Sequence, residues 1–153
     1  MYKRQGLKAE ALPIAAVRDV KGYDAVVLGS ALYMFQWMKD AKSFARRNRA
    51  ALAARPLWLF SSGPTGPETV DKQGRDLLEV SGPKDIEELR RMLHPRDHRV
   101  FFGAWDRSYK PIGFAERFVQ LMPAARDAMP DGDFRDWPKI DAWADGIAAE
   151  LAR

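Results

Sequence analysis

The chain has 153 residues, 46% hydrophobic and 30% charged, which suits a single globular domain with one sizeable core. It contains no cysteine, so disulfides, thiolate catalysis and Cys-held metals or clusters are excluded, and a reducing, cytoplasmic setting is the expectation. The net charge of +4 is spread over basic residues that share helices with acids or apolar faces, which excludes no fold but argues against a nucleic-acid partner.

The first seven residues, MYKRQGL, carry neither strand nor helix signals and lack the apolar centre of a signal peptide. They are expected to form a non-native or disordered tail, with residues 8–153 as one domain. Residues 8–17, KAEALPIAAV, alternate at Ala9, Ala11 and Ile14 and predict a weak strand, placed at an edge by Pro13. Residues 25–28, AVVL, form a short apolar run that ends at Gly29-Ser30. Two more such runs follow at 57–60, LWLF, and 100–102, VFF, the one left at Ser61-Ser62-Gly63 and the other at Gly103. Short runs apolar on successive residues predict strands buried on both faces.

Helical periodicity fills the intervals. Ala41, Phe44, Ala45, Asn48 and Leu52 predict a helix near 39–53. Ile86, Leu89, Met92 and Leu93 predict another near 84–93, with Asp85, Glu87 and Glu88 early and Arg90 and Arg91 late, as the helix dipole favours. Phe114, Phe118, Leu121 and Met122 mark a third. Ile140, Trp143, Ala144, Ile147, Ala148 and Leu151 mark the last, with Asp136 and Pro138 as start signals. Strands alternating with helices predict an α/β fold, a doubly wound and mostly parallel sheet. No run approaches the ~18 apolar residues of a membrane span, so no integral membrane segment is expected. His94 and His98 are too isolated to argue for a metal.

In such sheets ligands bind beyond the carboxyl ends of the strands, which singles out residues 29–37, 61–66 and 103–109. Gly29 and Ser30 let a ligand approach the backbone, Tyr33, Phe35 and Trp37 offer flat apolar faces, and Ser61, Ser62 and Gly63 offer amides and hydroxyls on a turn. A planar heterocycle with a polar edge, such as a flavin, needs that mix. Asp106 and Tyr109 could line a substrate cleft, although a turn and a surface phenol explain them better. No acid–base constellation stands out, and no catalytic side chain is assigned.

Read together, YDAVVLGSALYM, ARPLWLFSSGP, RVFFGAWD, GFAERFVQLM and GDFRDWPKIDAWADGIAAEL resemble the flavodoxin-like family that includes the menaquinone-dependent protoporphyrinogen oxidases. The likeness runs from about residue 8 to the end. It implies strand order 2-1-3-4-5, FMN as cofactor, and Ser30, Ala31, Leu32, Tyr33, Ser61, Ser62 and Gly63 beside the isoalloxazine ring. It also implies an oxidoreductase or electron-transfer domain, with a quinone or another redox partner. Position 35, often glycine in the family, is Phe35 here. The family's first strand and its Ser/Thr-rich phosphate loop have no counterpart, and residues 8–17 align with its second strand. The expectation is an N-terminally truncated domain with impaired FMN binding and a bare sheet edge open to homo-oligomer formation. The alternative is a flavin-free binding or regulatory module; a phosphoacceptor is disfavoured because Leu28-Gly29-Ser30 and Phe60-Ser61-Ser62 carry no aspartate.

Overall fold

The structure is a computed structural model, and it describes residues 6–106 and 131–153. Its centre is a mixed, mostly parallel sheet. Val26–Tyr33 (β1) turns back antiparallel into Gln36–Trp37 (β2), and Leu57–Ser62 (β3) and Asp97–Phe101 (β4) lie parallel to β1 in the order β2-β1-β3-β4. The runs at 25–28 and 57–60 mark β1 and β3, whereas of the run at 100–102 only Val100 and Phe101 fall in β4, which begins at Asp97 and has no fully buried residue. The three parallel strands lie side by side as the third, fourth and fifth strands of the expected order would. The other two strands of that order are not found among the described residues.

Side chains leave alternate faces of a strand, so register sorts them. Leu28 and Ser30 share a face with Leu57, Leu59 and Ser61, whereas Val27, Gly29 and Ala31 share the opposite face with Trp58, Phe60 and Ser62. On the first face Lys39–Arg47 (α1), Arg49–Ala53 (α2) and Ile86–Leu93 (α4) close a core of Leu28, Leu57 and Leu59 with Phe44, Leu52 and Leu93. Each such side chain contributes roughly 1.5–3 kcal/mol by burial. Between α2 and α4 in the chain comes a short helix, Leu77–Val80 (α3), capped by the Asp76 carboxylate on the Leu78 amide at 2.7 Å and not foreseen from periodicity.

The helix expected over 39–53 is broken at Asn48. There both the backbone amide and the side-chain Nδ2 donate to the Phe44 carbonyl, each at 3.0 Å, and the chain restarts. α4 ends at His94, which takes the left-handed conformation with φ 50°. Ala104–Trp105 (β5) pairs antiparallel with Gly132–Asp133 (β6). The chain then enters Trp137–Leu151 (α5), which starts as expected, with Pro138 in its first turn and the Asp136 carboxylate accepting from the Lys139 amide at 3.1 Å. α5 covers the second face of the sheet, where the Trp143 ring meets Phe60 and Phe101 edge-on at centroid distances of 6.3 and 5.5 Å.

The strand expected over 8–17 does not form. Pro13 has no amide hydrogen to give a ladder, and its carbonyl accepts instead from the Ala16 amide at 2.8 Å, winding Ile14–Ala16 into a 3₁₀ turn. That turn aims Ile14 and Val17 into the first-face core, while Leu7 and Ala9 lie against the second face beside α5. The chain therefore changes face between Ala9 and Ile14. Along residues 26–31 the outer edge of β1 has no partner strand among the described residues, since β2 reaches only Leu32 and Tyr33. No described helix is long and apolar enough to cross a membrane. Residues 1–5 of the expected tail, the helix marked by Phe114 to Met122, and Tyr109 lie outside the described residues.

Candidate functional site

Parallel pairing brings the strand tips to one end of the sheet. Ser30 stands opposite Ser61 and Ala31 opposite Ser62, and β4 extends the row with Val100 and Phe101. The tips are tied together by the Gly63 amide donating to the Phe101 carbonyl at 2.7 Å and the Gly103 amide donating to the Pro64 carbonyl at 2.9 Å. Ser30, Ala31, Leu32, Tyr33, Ser61, Ser62 and Gly63 are thus gathered within two adjacent tips. Their side chains divide between the two faces: Ser30 and Ser61 go to one, and Ser62 to the other.

Two of the three hydroxyls are used inside the fold. The Ser30 hydroxyl accepts from the Met38 amide at 3.0 Å and donates to the Ala31 carbonyl at 2.8 Å, anchoring the start of α1 to the strand. The Ser61 hydroxyl, fully buried, accepts from the Trp37 indole at 2.8 Å and lies 2.9 Å from His98 Nε2. Burial, helped by the Arg90 charge, holds the His98 imidazole down to about 4. It is therefore neutral near pH 7, and the ring tautomer sets which of Ser61 Oγ and His98 Nε2 donates. Trp37, expected to offer a flat face to a ligand, is instead a core residue. The signal for this chain of three was the strand register, because His98 and Val100 alternate along β4 and His98 falls on the face of Ser61. Ser62 keeps a hydroxyl with no hydrogen-bond partner among the described residues. Leu32 packs partly against the core, and Ala31 is exposed.

β1 does not stop at Gly29-Ser30. It runs on to Tyr33 and turns through Met34 and Phe35, both with positive φ (50° and 60°), into β2. Two successive residues of this kind make a tight hairpin turn that favours Asn and Gly, yet here they are large and apolar. Phe35 is held by its neighbours: its carbonyl accepts from the Lys84 amide at 2.8 Å, and the Lys84 ammonium lies 5.4 Å from the ring centre. Tyr33 (42% exposed), Met34 (74%) and Phe35 (49%) form an apolar tip at the same end of the sheet.

A flat heterocycle fits this end in part, with apolar faces from Tyr33 and Phe35 and a polar contact from Ser62. Among the described residues a phosphate finds no such fit at this end. It needs several hydroxyl and amide donors together, whereas Ser30, Ser61 and the Met38 amide are committed to one another's surroundings. Among the described residues no cluster of three or more His, Asp or Glu side chains could hold a metal ion.

A family model described as a flavodoxin domain matches residues 4–124. No curated protein and no solved structure gave a match. The matched stretch contains all three parallel strands and the helices of the first face, and with this coverage the chain belongs to the flavodoxin domain family.

Proposed function

We propose that the chain is a flavin-binding redox domain in which the isoalloxazine ring lies against the tips of β1 and β3. The observation that carries this reading is the side-by-side register of Ser30-Ala31 with Ser61-Ser62 at the end of the sheet where α/β proteins bind ligands. Family membership supports it. A bound flavin supplies the electron or hydride chemistry. The chain's part is to orient the ring, with Tyr33 and Phe35 as apolar cover and Ser62 as the polar contact. Within this reading, the likeness of the GSALY loop and the DFRDW segment favours an oxidoreductase of the protoporphyrinogen/quinone type.

The committed hydroxyls add a second element: the described residues at the strand tips offer contacts to the ring and no cradle for the phosphate of FMN. A cradle of about four charge-assisted hydrogen bonds at ~1.5 kcal/mol each would make FMN about four decades tighter than riboflavin. The expected result of parallel fluorescence titrations is that the two flavins bind within about threefold of each other. A large preference for FMN would overturn the claim about the phosphate. Saturation by neither flavin would favour the alternative, a flavin-free binding module, which the internal use of Ser30, Ser61 and Trp37 already supports.

A further inference from the structure

The two faces of the sheet are finished differently. The first carries a closed core, whereas on the second α5 buries only Ala144 and Ile147 of its own length. Between α5, the sheet and the segment near Leu7 lies a cleft of about 270 Å³. Its floor is Val27 and Phe60 and its walls are Phe101, Trp143 and Ile147. The floor is flat because Gly29 has no side chain: a Cβ there would stand 2.1 Å from the Phe60 ring, so the ring lies across that position. Trp143 meets Phe60 and Phe101 edge-on, so on that side the aromatic wall rests against the floor and the open volume lies beside this contact.

The polar groups at the cleft are mostly engaged. Arg135 donates to Asp133 through Nε and Nη2, both at 2.7 Å, and its guanidinium stacks 4.6 Å from the Trp137 ring centre. Ser62, at the strand-tip end, is the lining residue with an uncommitted hydroxyl among those described. An apolar cavity of about 150 Å³ accepts benzene, so this one has room for two fused rings. Aromatic walls favour a flat partner in offset or edge-on contact. A single hydroxyl at one end favours one oxygen on the rim of that partner.

We propose that the cleft between α5 and the second face of the sheet is a binding site for a flat two-ring aromatic molecule with one oxygen on its rim, held by Trp143 and Phe60 and oriented by Ser62. The site shares Ser62 with the strand-tip flavin reading and is distinguished from it by Val27, Trp143 and Ile147, which that reading does not use.

The test uses 2-naphthol and naphthalene with the full chain, followed by the indole N–H signals of the five tryptophans. The expected result is saturable 2-naphthol binding that moves the Trp143 and Trp137 signals and leaves Trp37, on the opposite face, in place. Contacts between naphthol protons and the methyls of Val27 and Ile147 should appear in the unmodified chain. Ser62→Ala should weaken 2-naphthol about fivefold, the loss of one hydrogen bond, and leave naphthalene unchanged. Ala148→Phe, which fills the cleft, should weaken both more than tenfold while the Trp37 signal reports an intact core. Non-saturating shifts in all five indoles would overturn the proposal. So would exclusion of both probes by a second copy seated on α5, seen as a dimer in sedimentation.

Discussion

Gly29 and His98 show how single positions set this end of the molecule. Alanine at position 29 would place its methyl against the Phe60 ring, and overpacking of that kind costs about 1–3 kcal/mol. Gly29→Ala should lower the unfolding free energy in urea by that amount, and a second change, Phe60→Leu, should recover part of it. No recovery would mean that the ring is not the obstacle. His98 makes a pH prediction. Above about pH 6.5 the imidazole is neutral in folded and unfolded chains alike, and its contribution is complete. Between 6.5 and about 4 the unfolded chain takes up a proton that the folded chain refuses, so stability falls across that window. His98→Gln should flatten the slope of urea midpoint against pH between 6.5 and 4. Equal slopes in the two proteins would remove His98 from the account.

Among the elements, the β1–β2 hairpin carries the most internal conflict. Met34 and Phe35 both adopt left-handed backbone, at roughly 1 kcal/mol or more each for side chains of this type. Replacing the pair with Asn-Gly should raise the thermal midpoint, by an amount equivalent to about 1–2 kcal/mol. A fall would show that the Phe35–Lys84 contact outweighs the strain. This hairpin also marks where sequence reading reached its limit. The runs AVVL and LWLF were legible because a strand inside a covered sheet is apolar on successive residues, whereas VFF marked only the end of β4, which starts Asp97-His98-Arg99 and has no fully buried residue. The turn was not legible, because Met-Phe carries none of the residues that signal it. Trp37 read as a ligand-facing ring because an aromatic near a strand tip looks the same in sequence whether it turns in or out. Only its pairing with Leu32 shows that it turns in. The predicted strand over 8–17 failed at Pro13, where local turn bonds replaced the ladder. α5 was legible to its first residues because its cap, its Pro138 and its apolar spacing all agree.

At the scale of the whole molecule, protection should follow strand order. β3 is paired on both sides, whereas β1 over residues 26–31 is paired on one side among the described residues. Amide hydrogen exchange should be slowest in β3, and the β1 amides that point away from it should exchange markedly faster. Equally slow exchange throughout β1 would mean that its outer edge is covered in solution. The candidate site follows the same division. That the tips of β1 and β3 meet was legible from strand alternation alone. Which hydroxyls remain available was not, because it depends on whether a position has odd or even register, and that is fixed only when strands pair.

The ring of Phe60 occupies the volume that any side chain at position 29 would need. The two sites are thus a single unit of inheritance. In an alignment of relatives, a residue larger than glycine at 29 should be accompanied by loss of the aromatic at 60, and lineages keeping the aromatic should keep the glycine.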